Sequence, residues 1–436
     1  MVEPLRVGIA GLGTVGAALI AQIGKEREAI AARCGRRIEV VAVSARSRNK
    51  NRGVDLKKIK WFSDPVELAG YDGIDVFVEL MGGSGDPAKT AIEYALATGK
   101  SVVTANKALL AKHGFKMAQL AEKAGVALNY EAAVGAAIPV IKTLREGLAG
   151  NAINRIYGIL NGTCNYILTR MEQEGLSYAD CLADAQRLGY AEADPTFDVE
   201  GYDTAQKLAL LASLAFGTKV DESAIYVEGI SSIAPADLAA ADELGYRIKL
   251  LGVAVRTPKG IEQRVHPTMV RKDSSIAQVM GVTNAVTIDA EGVNPITLIG
   301  PGAGGAATAS AVLSDIADVA RGLKGPPFGR TTDKLVAVRK APMQRHEGGY
   351  YIRLEARDKP GTAATIAKRL AEQDISLESI VQRHPKGEMS KSKNGSVPVI
   401  LITYATSEDA VRKALAAVGR DKVISGRPQV IRIEKN

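Results

Sequence analysis

Aromatic residues, cysteine and histidine are all scarce in this chain. Only 5% of its 436 residues are Phe, Trp or Tyr, and there is a single Trp. Large aromatic clusters therefore do not build its core, and the abundance of glycine and alanine suits closely packed α/β layers. Cys34, Cys164 and Cys181 are an odd set without metal-ligand spacing. They exclude a disulfide framework and point to a reducing cytoplasm. No apolar run is long enough to span a bilayer, and the opening residues, with Glu3 and Pro4, do not read as a signal peptide. A block of basic residues interleaved with aromatics is also missing, so the formal net charge of +8 does not imply nucleic acid. That excess reads either as a solvated surface or as partial neutralisation of a phosphorylated cofactor.

What is present has the balance of a soluble globular protein, 46% hydrophobic and 24% charged, in a chain long enough for two or three domains. In the first third, short apolar segments alternate with helical patterns. Leu5 to Ala10, Ile38 to Ser44, Ile74 to Leu80, Ser101 to Thr104 and Val126 to Tyr130 read as strands. Thr14 to Ala32, Ala88 to Thr98 and Leu109 to Ala124 read as helices. This βαβ rhythm predicts a doubly wound parallel sheet over residues 1–140.

From residue 141 to 325 the rhythm changes to a mixed α+β pattern. Helices are expected at about Asn165 to Glu174, Tyr178 to Leu188 and Gly201 to Phe216, and strands at Arg247 to Val255 and Thr287 to Asp289. The Gly-rich run Gly300 to Gly305 opens a helix that ends near Leu323 and is expected to pack back on the first domain. Residues 326–348, with Pro326, Pro327, Pro342 and Gly348, read as a linker. Residues 349–436 follow a βαββαβ order and are expected to form a separate ferredoxin-like unit. A polar insert, Pro385 to Ser396, is expected to be mobile.

Gly11-Leu12-Gly13-Thr14-Val15-Gly16 follows the first strand and opens the first helix. Gly11 permits the turn, Gly13 lets backbone approach a pyrophosphate, and Gly16 lets helix and strand pack closely. The helix N-terminus then faces the phosphates. Where an NAD site usually has an acidic residue after the second strand, this chain has Arg46, followed by Arg48. An arginine there suits the 2′-phosphate of NADP, so NADP is favoured over NAD. The alternative is a solvated basic loop.

Two segments carry a closer resemblance. One is Thr104-Ala105-Asn106-Lys107 at the end of a strand. The other runs from Ala185 to Lys207 and contains Gly189-Tyr190-Ala191-Glu192-Ala193-Asp194-Pro195, then Asp198, Gly201, Asp203 and Lys207. Together with Glu131 to Gly135 and Asn161-Gly162-Thr163, they resemble the homoserine dehydrogenase family over about residues 5 to 330.

The residues make chemical sense on their own. Asp203 and Lys207 are four apart in a helical segment and share a face. Such a carboxylate can orient a polar substrate while the lysine exchanges a proton with an alcohol or aldehyde oxygen. Taken alone, an i,i+4 pair of this kind is usually surface decoration. The resemblance makes Lys207 the acid/base residue with Asp203 beside it. It gives Glu192 and Asp198 to the substrate and Lys107 to both substrate and cofactor, and it brings Thr104, Gly189 and Gly302 to the cofactor. It also implies a monovalent cation, Na+ or K+, held largely by backbone carbonyls of Glu131, Val134, Ala136 and Ile138. A tight structural loop is the other reading of that stretch, since the family usually has a further glycine near Ala137.

Cys164-Asn165 loosely resembles the nucleophile region of aspartate-semialdehyde dehydrogenase, which would need an activated thiolate and a base. None of His113, His266, His346 and His384 sits in a recognisable partner motif. Cys164 is therefore expected to be a small packed side chain. A nucleotide-binding sensor without catalysis is the other rival, and the Asp203/Lys207 pair argues against it. Asp358-Lys359-Pro360-Gly361 joins strand to helix as in ACT domains, and the region 350–433 resembles that module. The resemblance implies a feedback amino acid, threonine being expected, and a homodimer or homotetramer. A dimerisation module without a ligand is the alternative.

Overall fold

The computed structural model describes residues 3–341, 347–382 and 396–434. Six parallel strands form the first sheet: β1 (Leu5–Ala10), β2 (Ile38–Ser44), β3 (Lys60–Phe62), β4 (Val76–Glu79), β5 (Ser101–Thr104) and β6 (Leu128–Asn129). Their order is β3-β2-β1-β4-β5-β6. The connections reverse direction between β1 and β4, and the crevice at their C-terminal ends is where such sheets bind ligands. The strands β4, β5 and β6 are buried throughout, with both faces covered.

Two details of this domain differ from expectation. The first helix is two, Thr14–Lys25 and Arg27–Cys34, broken at Glu26 where the backbone leaves helical geometry (φ −100°, ψ 16°). The strand β3 and the helix Pro65–Gly70 were not anticipated. A three-residue edge strand is too short to show a period.

The second sheet is mixed. Its strands are β7 (Ile153–Ile159), β8 (Tyr226–Val227), β9 (Tyr246–Thr257), β10 (Gly260–Arg271), β11 (Thr283–Ala290), β12 (Ile296–Pro301), β13 (Glu347–Arg357), β14 (Leu377–Gln382), β15 (Ser396–Thr403), β16 (Thr406–Ser407) and β17 (Ile424–Ile433). The main path is β12-β11-β7-β9-β10-β17-β13-β15-β14. The last four strands on that path, with the helices Thr362–Ala371 and Glu408–Arg420, give the ferredoxin-like βαββαβ order. That unit is not separate, however. β17 pairs in parallel with β10 through Thr268↔Arg432 and Met269↔Ile433, so the two domains share one continuous sheet. An exposed strand edge at each domain finds the other, which removes both edges from solvent.

The helix Gly305–Ala320 returns to the first domain. Ala309, Val312 and Ile316 join Leu5, Val7, Ile9 and Leu19 in one apolar cluster. The stretch 326–341, read as a linker, is held along its length. Tyr130 donates to the Pro327 carbonyl at 2.9 Å, Phe328 is buried, and Lys219 and Ile261 donate backbone N–H groups to Val336 and Arg339. Pro342, His346 and His384 lie outside the described residues, as does the expected insert from Pro385 to Gly395. Ser396 opens β15.

Candidate functional site

A cavity of about 610 Å³ opens where the first sheet, the loop after β6 and the mixed domain meet. Its walls include Val15, Lys107, Val134, Ala136, Asp198, Asp203, Lys207, Gly189 and Gly302. The structure thus brings together residues that lie up to 293 positions apart in the chain (Val15 to Thr308).

The glycine loop is built as its spacing requires. Gly11 has φ +102°, and a Cβ on it would lie 2.5 Å from the Leu80 carbonyl carbon. A Cβ on Gly16 would fall 2.1 Å from the Gly11 oxygen, so the helix can start against the strand only without one. Gly13 instead faces open space, the condition for a pyrophosphate to approach its backbone. Across the mouth, a Cβ on Gly302 would collide with the Asn284 amide at 2.0 Å, and one on Gly305 would press on Thr14 at 2.7 Å. The loop therefore fits a dinucleotide. Thr104 is buried at the end of β5 and donates to Glu79 at 2.7 Å. Arg46 is exposed two residues past β2.

The charged centre rests on Asn161. It caps the helix Gly162–Glu174 by accepting from the Cys164 N–H at 2.8 Å. Its amide nitrogen donates to Asp198 at 2.8 Å and to Asp203 at 2.9 Å. Asp203 lies in the first turn of the helix Tyr202–Phe216, which Gly201 starts at φ +87° with no room for a Cβ beside Val265. Lys207 is one turn further on, 9% exposed, and donates to Asp203 and to the Leu160 carbonyl, each at 2.7 Å. An ammonium has three hydrogens, so one is left for the cavity.

Lys107 reaches Asp203 from the other side at 3.2 Å. It is the first residue of its helix, where the helix dipole disfavours a cation, and the carboxylate offsets that. Burial by itself would raise the Asp203 pKa. Lys207 and Lys107, with the hydrogen bonds from Lys207 and Asn161, overcome this and hold it at about 2. Asp198, with burial and the Asp203 charge acting on it, is raised instead.

Other expected residues take other places. Glu192 is exposed on the loop beyond Gly189 and is not part of the cavity wall; its backbone carbonyl accepts from Gln186 at 3.0 Å. Glu131 is buried, and its two carboxylate oxygens accept from the Ile141 and Lys142 amides. Ala136 has φ +49°, the left-handed region where a glycine is easier, and the Ile138 N–H donates to Gly135. Among the described residues no group of three or more His, Cys, Asp or Glu could hold a metal. A cation at this loop would therefore depend on carbonyl oxygens, ligands that suit a hard ion. The Cys164 thiol is fully buried and donates to the Asp198 carbonyl at 3.2 Å. Burial, then the Asp198 and Asp203 charges, push its pKa up, which opposes a nucleophilic role.

Three supporting residues escaped the sequence reading. Glu79, a buried carboxylate ending β4, accepts from the Met81 and Gly82 amides and shapes the loop opposite Gly11. Arg52 donates to the Leu12 carbonyl at 3.1 Å and ties the basic loop to the glycine turn. Lys249 is buried against Asn165 and the Val279 carbonyl, below the Val282 wall, and burial lowers its pKa to about 8. Glu79 carried one available signal, an acid closing an apolar strand at the ligand edge of the sheet. A lone lysine in β9 carried none.

Family models match in three blocks: "Homoserine dehydrogenase, NAD binding domain" over residues 11–131, "Homoserine dehydrogenase" over 139–317, and "ACT domain" over 350–420. A homoserine dehydrogenase of Pseudomonas aeruginosa is 44% identical over 439 residues, covering 99% of each chain. The chain belongs to the homoserine dehydrogenase family. It is accordingly an NAD(P)-dependent oxidoreductase with a Rossmann domain, a mixed-sheet catalytic domain and an ACT domain. The solved homoserine dehydrogenase of Thiobacillus denitrificans superposes with a TM-score of 0.92 at 40% identity, covering 99% of both chains. A hyperthermophilic archaeal homoserine dehydrogenase solved in complex with NADPH gives 0.64 at 27% identity, covering 74% of this chain and all of that one. Among the described residues no helix is long and apolar enough to cross a membrane.

Proposed function

We propose that the cavity oxidises L-homoserine to L-aspartate 4-semialdehyde, and the reverse, with Lys207 as the proton-transfer residue. The observation that carries this is the buried Lys207–Asp203–Lys107 cluster lining the same cavity as the glycine loop. When bound, the nicotinamide supplies or accepts the hydride. In the oxidative direction the Lys207 amine takes the hydroxyl proton as hydride leaves the carbinol carbon. In the reductive direction its ammonium gives that proton to the aldehyde oxygen. Asp203 stays ionised and fixes both lysines. Lys107 faces substrate and cofactor together. Asp198 binds the substrate from the wall, and Glu192 serves the substrate amino group when the loop beyond Gly189 lies over the cavity.

Gly11, Gly13, Thr14, Val15 and Gly16 hold the pyrophosphate, with Thr104, Gly189 and Gly302 along the rest of the cofactor. Arg46 favours NADP by pairing with its 2′-phosphate. Carbonyls of Glu131, Val134, Ala136 and Ile138 are the proposed ligands of Na+ or K+. Dialysis against a bulky organic cation, followed by sodium or potassium titration of cofactor binding, tests that site. The ACT domain takes a feedback amino acid, threonine being expected, and the chain assembles as a cytoplasmic homodimer or homotetramer.

The test is turnover. L-Homoserine added to the chain with NADP should produce reduced cofactor and an aldehyde that a hydrazine traps. Arg46→Glu should raise the KM for NADP about tenfold or more and leave that for NAD nearly unchanged. Folded protein that binds cofactor and turns over homoserine with neither NADP nor NAD would contradict the reading.

A further inference from the structure

The segment from residue 45 to 59 joins β2 to β3 and carries Arg46. Residues 46–51 are exposed on it, while Leu56 and Ile59 pack against the apolar cluster of the first domain. A loop of this length inside a compact domain is usually functional. We propose that Arg52 is a positioning residue for cofactor selection. Its guanidinium clasps this loop to the glycine turn and fixes the spacing at which the pyrophosphate and the 2′-phosphate of NADP are both received. This rests on the NADP reading of Arg46 and names what sets the shape of that site.

One guanidinium ties together three backbone carbonyls. Its Nε donates to the Leu12 carbonyl at 3.1 Å, between Gly11 and Gly13. Nη1 donates to the Lys50 carbonyl at 2.8 Å, and Nη2 donates to that of Ser47. The same group lies over the Trp61 ring, with Cζ 5.6 Å from the centroid, and Trp61 stands in β3 beside Val43 of β2. A guanidinium is planar and its N–H groups diverge at fixed angles, so the three acceptors do not move independently. The exposed arc from Ser47 to Lys50 is thereby anchored both to the glycine turn and to the edge of the sheet.

These acceptors belong to two parts of one ligand site. In sheets of this kind the pyrophosphate sits at the glycine turn and the adenosine ribose near the end of the second strand. In NADP both charges hang on that ribose. Its 5′ carbon leads to the pyrophosphate and its 2′ oxygen carries the extra phosphate. The ligand fixes their separation, and the protein has to match it. Arg52 sets the matching separation, with Leu12 at one end and Ser47 at the other. NAD has no 2′-phosphate and tolerates a displaced loop, so loss of the clasp weakens NADP more than NAD. Charge alone does not replace it. A lysine is a point charge on a flexible stem and does not hold three carbonyls in one arrangement.

The probes are adenosine 2′,5′-bisphosphate and 5′-AMP, which differ by the 2′-phosphate alone. Both are titrated into the full chain, as wild type, Arg52→Gln and Arg52→Lys. Binding is read by calorimetry and by the emission of Trp61, the single tryptophan; KM values for NADP and NAD are measured alongside. The wild type is expected to bind the bisphosphate more tightly than 5′-AMP. Arg52→Gln should weaken the bisphosphate about tenfold or more and 5′-AMP about threefold or less, with the two KM values split the same way. Arg52→Lys should recover only a minor part of the preference, and it decides by the same ratio should the glutamine variant not fold. Full recovery in Arg52→Lys would mean charge rather than shape and overturn the clasp. If both variants keep the wild-type preference, or lose both probes alike, Arg52 does not set the spacing, while the NADP reading stands. If the wild type itself binds the two probes equally, the NADP reading fails and the proposal with it.

Discussion

Two aspartates in this molecule are almost equally hidden from water and carry opposite electrostatics. Asp203 is 5% exposed and Asp315, on the helix that returns to the Rossmann domain, is 1% exposed. Burial pushes both pKa values up. Asp203 is nonetheless held at about 2, because Lys207 and Lys107 lie within 3.2 Å and Asn161 donates to it. Asp315 rises to about 7: burial acts first and the Glu131 carboxylate second, and Lys142 is 3.7 Å away and shared with Asp318. Burial alone therefore does not mark a catalytic carboxylate. What separates the two is how many cations each one owns. Asp203 is a fixed negative charge that orders two ammonium groups in an open cavity. Asp315 sits inside a helix with a pKa near 7, so its protonation follows the medium.

The comparison breaks most sharply at Asp203. Asp203→Asn leaves Lys107 and Lys207 facing one another without a counter-charge, and kcat should fall about 100-fold or more. Asn161→Ala removes the amide that Asp198 and Asp203 share but leaves both lysine contacts, so a loss of about tenfold is expected, read in the same assay. Asp315→Asn should leave turnover near wild type and change the pH dependence of folding instead. With a native pKa near 7 and an ordinary unfolded value near 4, the native state binds more protons between those limits. Wild-type stability therefore falls as pH rises through that window, by about 1.4 kcal/mol for each pH unit over which the two states differ by one proton. Denaturant midpoints from pH 4.5 to 8 should show a shallower fall in Asp315→Asn. Equal slopes would mean that Asp315 is not the group. Asp203 works the other way: its contribution is present above pH 4 and is lost as pH falls toward 2. The smallest effect is expected from Cys164→Ser, with activity within about twofold of wild type, since a buried thiol with a raised pKa supplies packing. Abolished turnover would revive the acyl-transfer alternative.

Elements with a clear period were legible in the sequence. The ends of β1, β2 and β5, the helix Tyr202–Phe216 and the glycine loop coincide with their expectation or differ by a residue, because each depends on short-range rules. β10 was not legible. Glu262, Gln263, Arg264, His266 and Thr268 are all buried in it, so the strand reads as polar; Arg264 pairs with Glu262 and with Glu434, the residue after β17, and Thr268 bonds to His266. The same long-range pairing hid the continuity of the ACT and catalytic sheets. In the site, the Asp203–Lys207 pair was visible as an i,i+4 spacing, whereas Lys107, 96 positions before Asp203, could be joined to it only by resemblance. Asn161 had a local signal as a helix cap, but its grip on two carboxylates arises only when the helix Tyr202–Phe216 docks against it.

The central claim is that Lys207 moves the proton. It is tested most directly by comparing wild type with Lys207→Ala at saturating homoserine and NADP, after matching melting temperatures and cofactor affinity. The account predicts a fall in kcat of about 10² to 10⁴, with homoserine and cofactor binding changed only a few-fold. Equal kcat in the two proteins would contradict it and leave Lys107 as the remaining cation at the reacting oxygen.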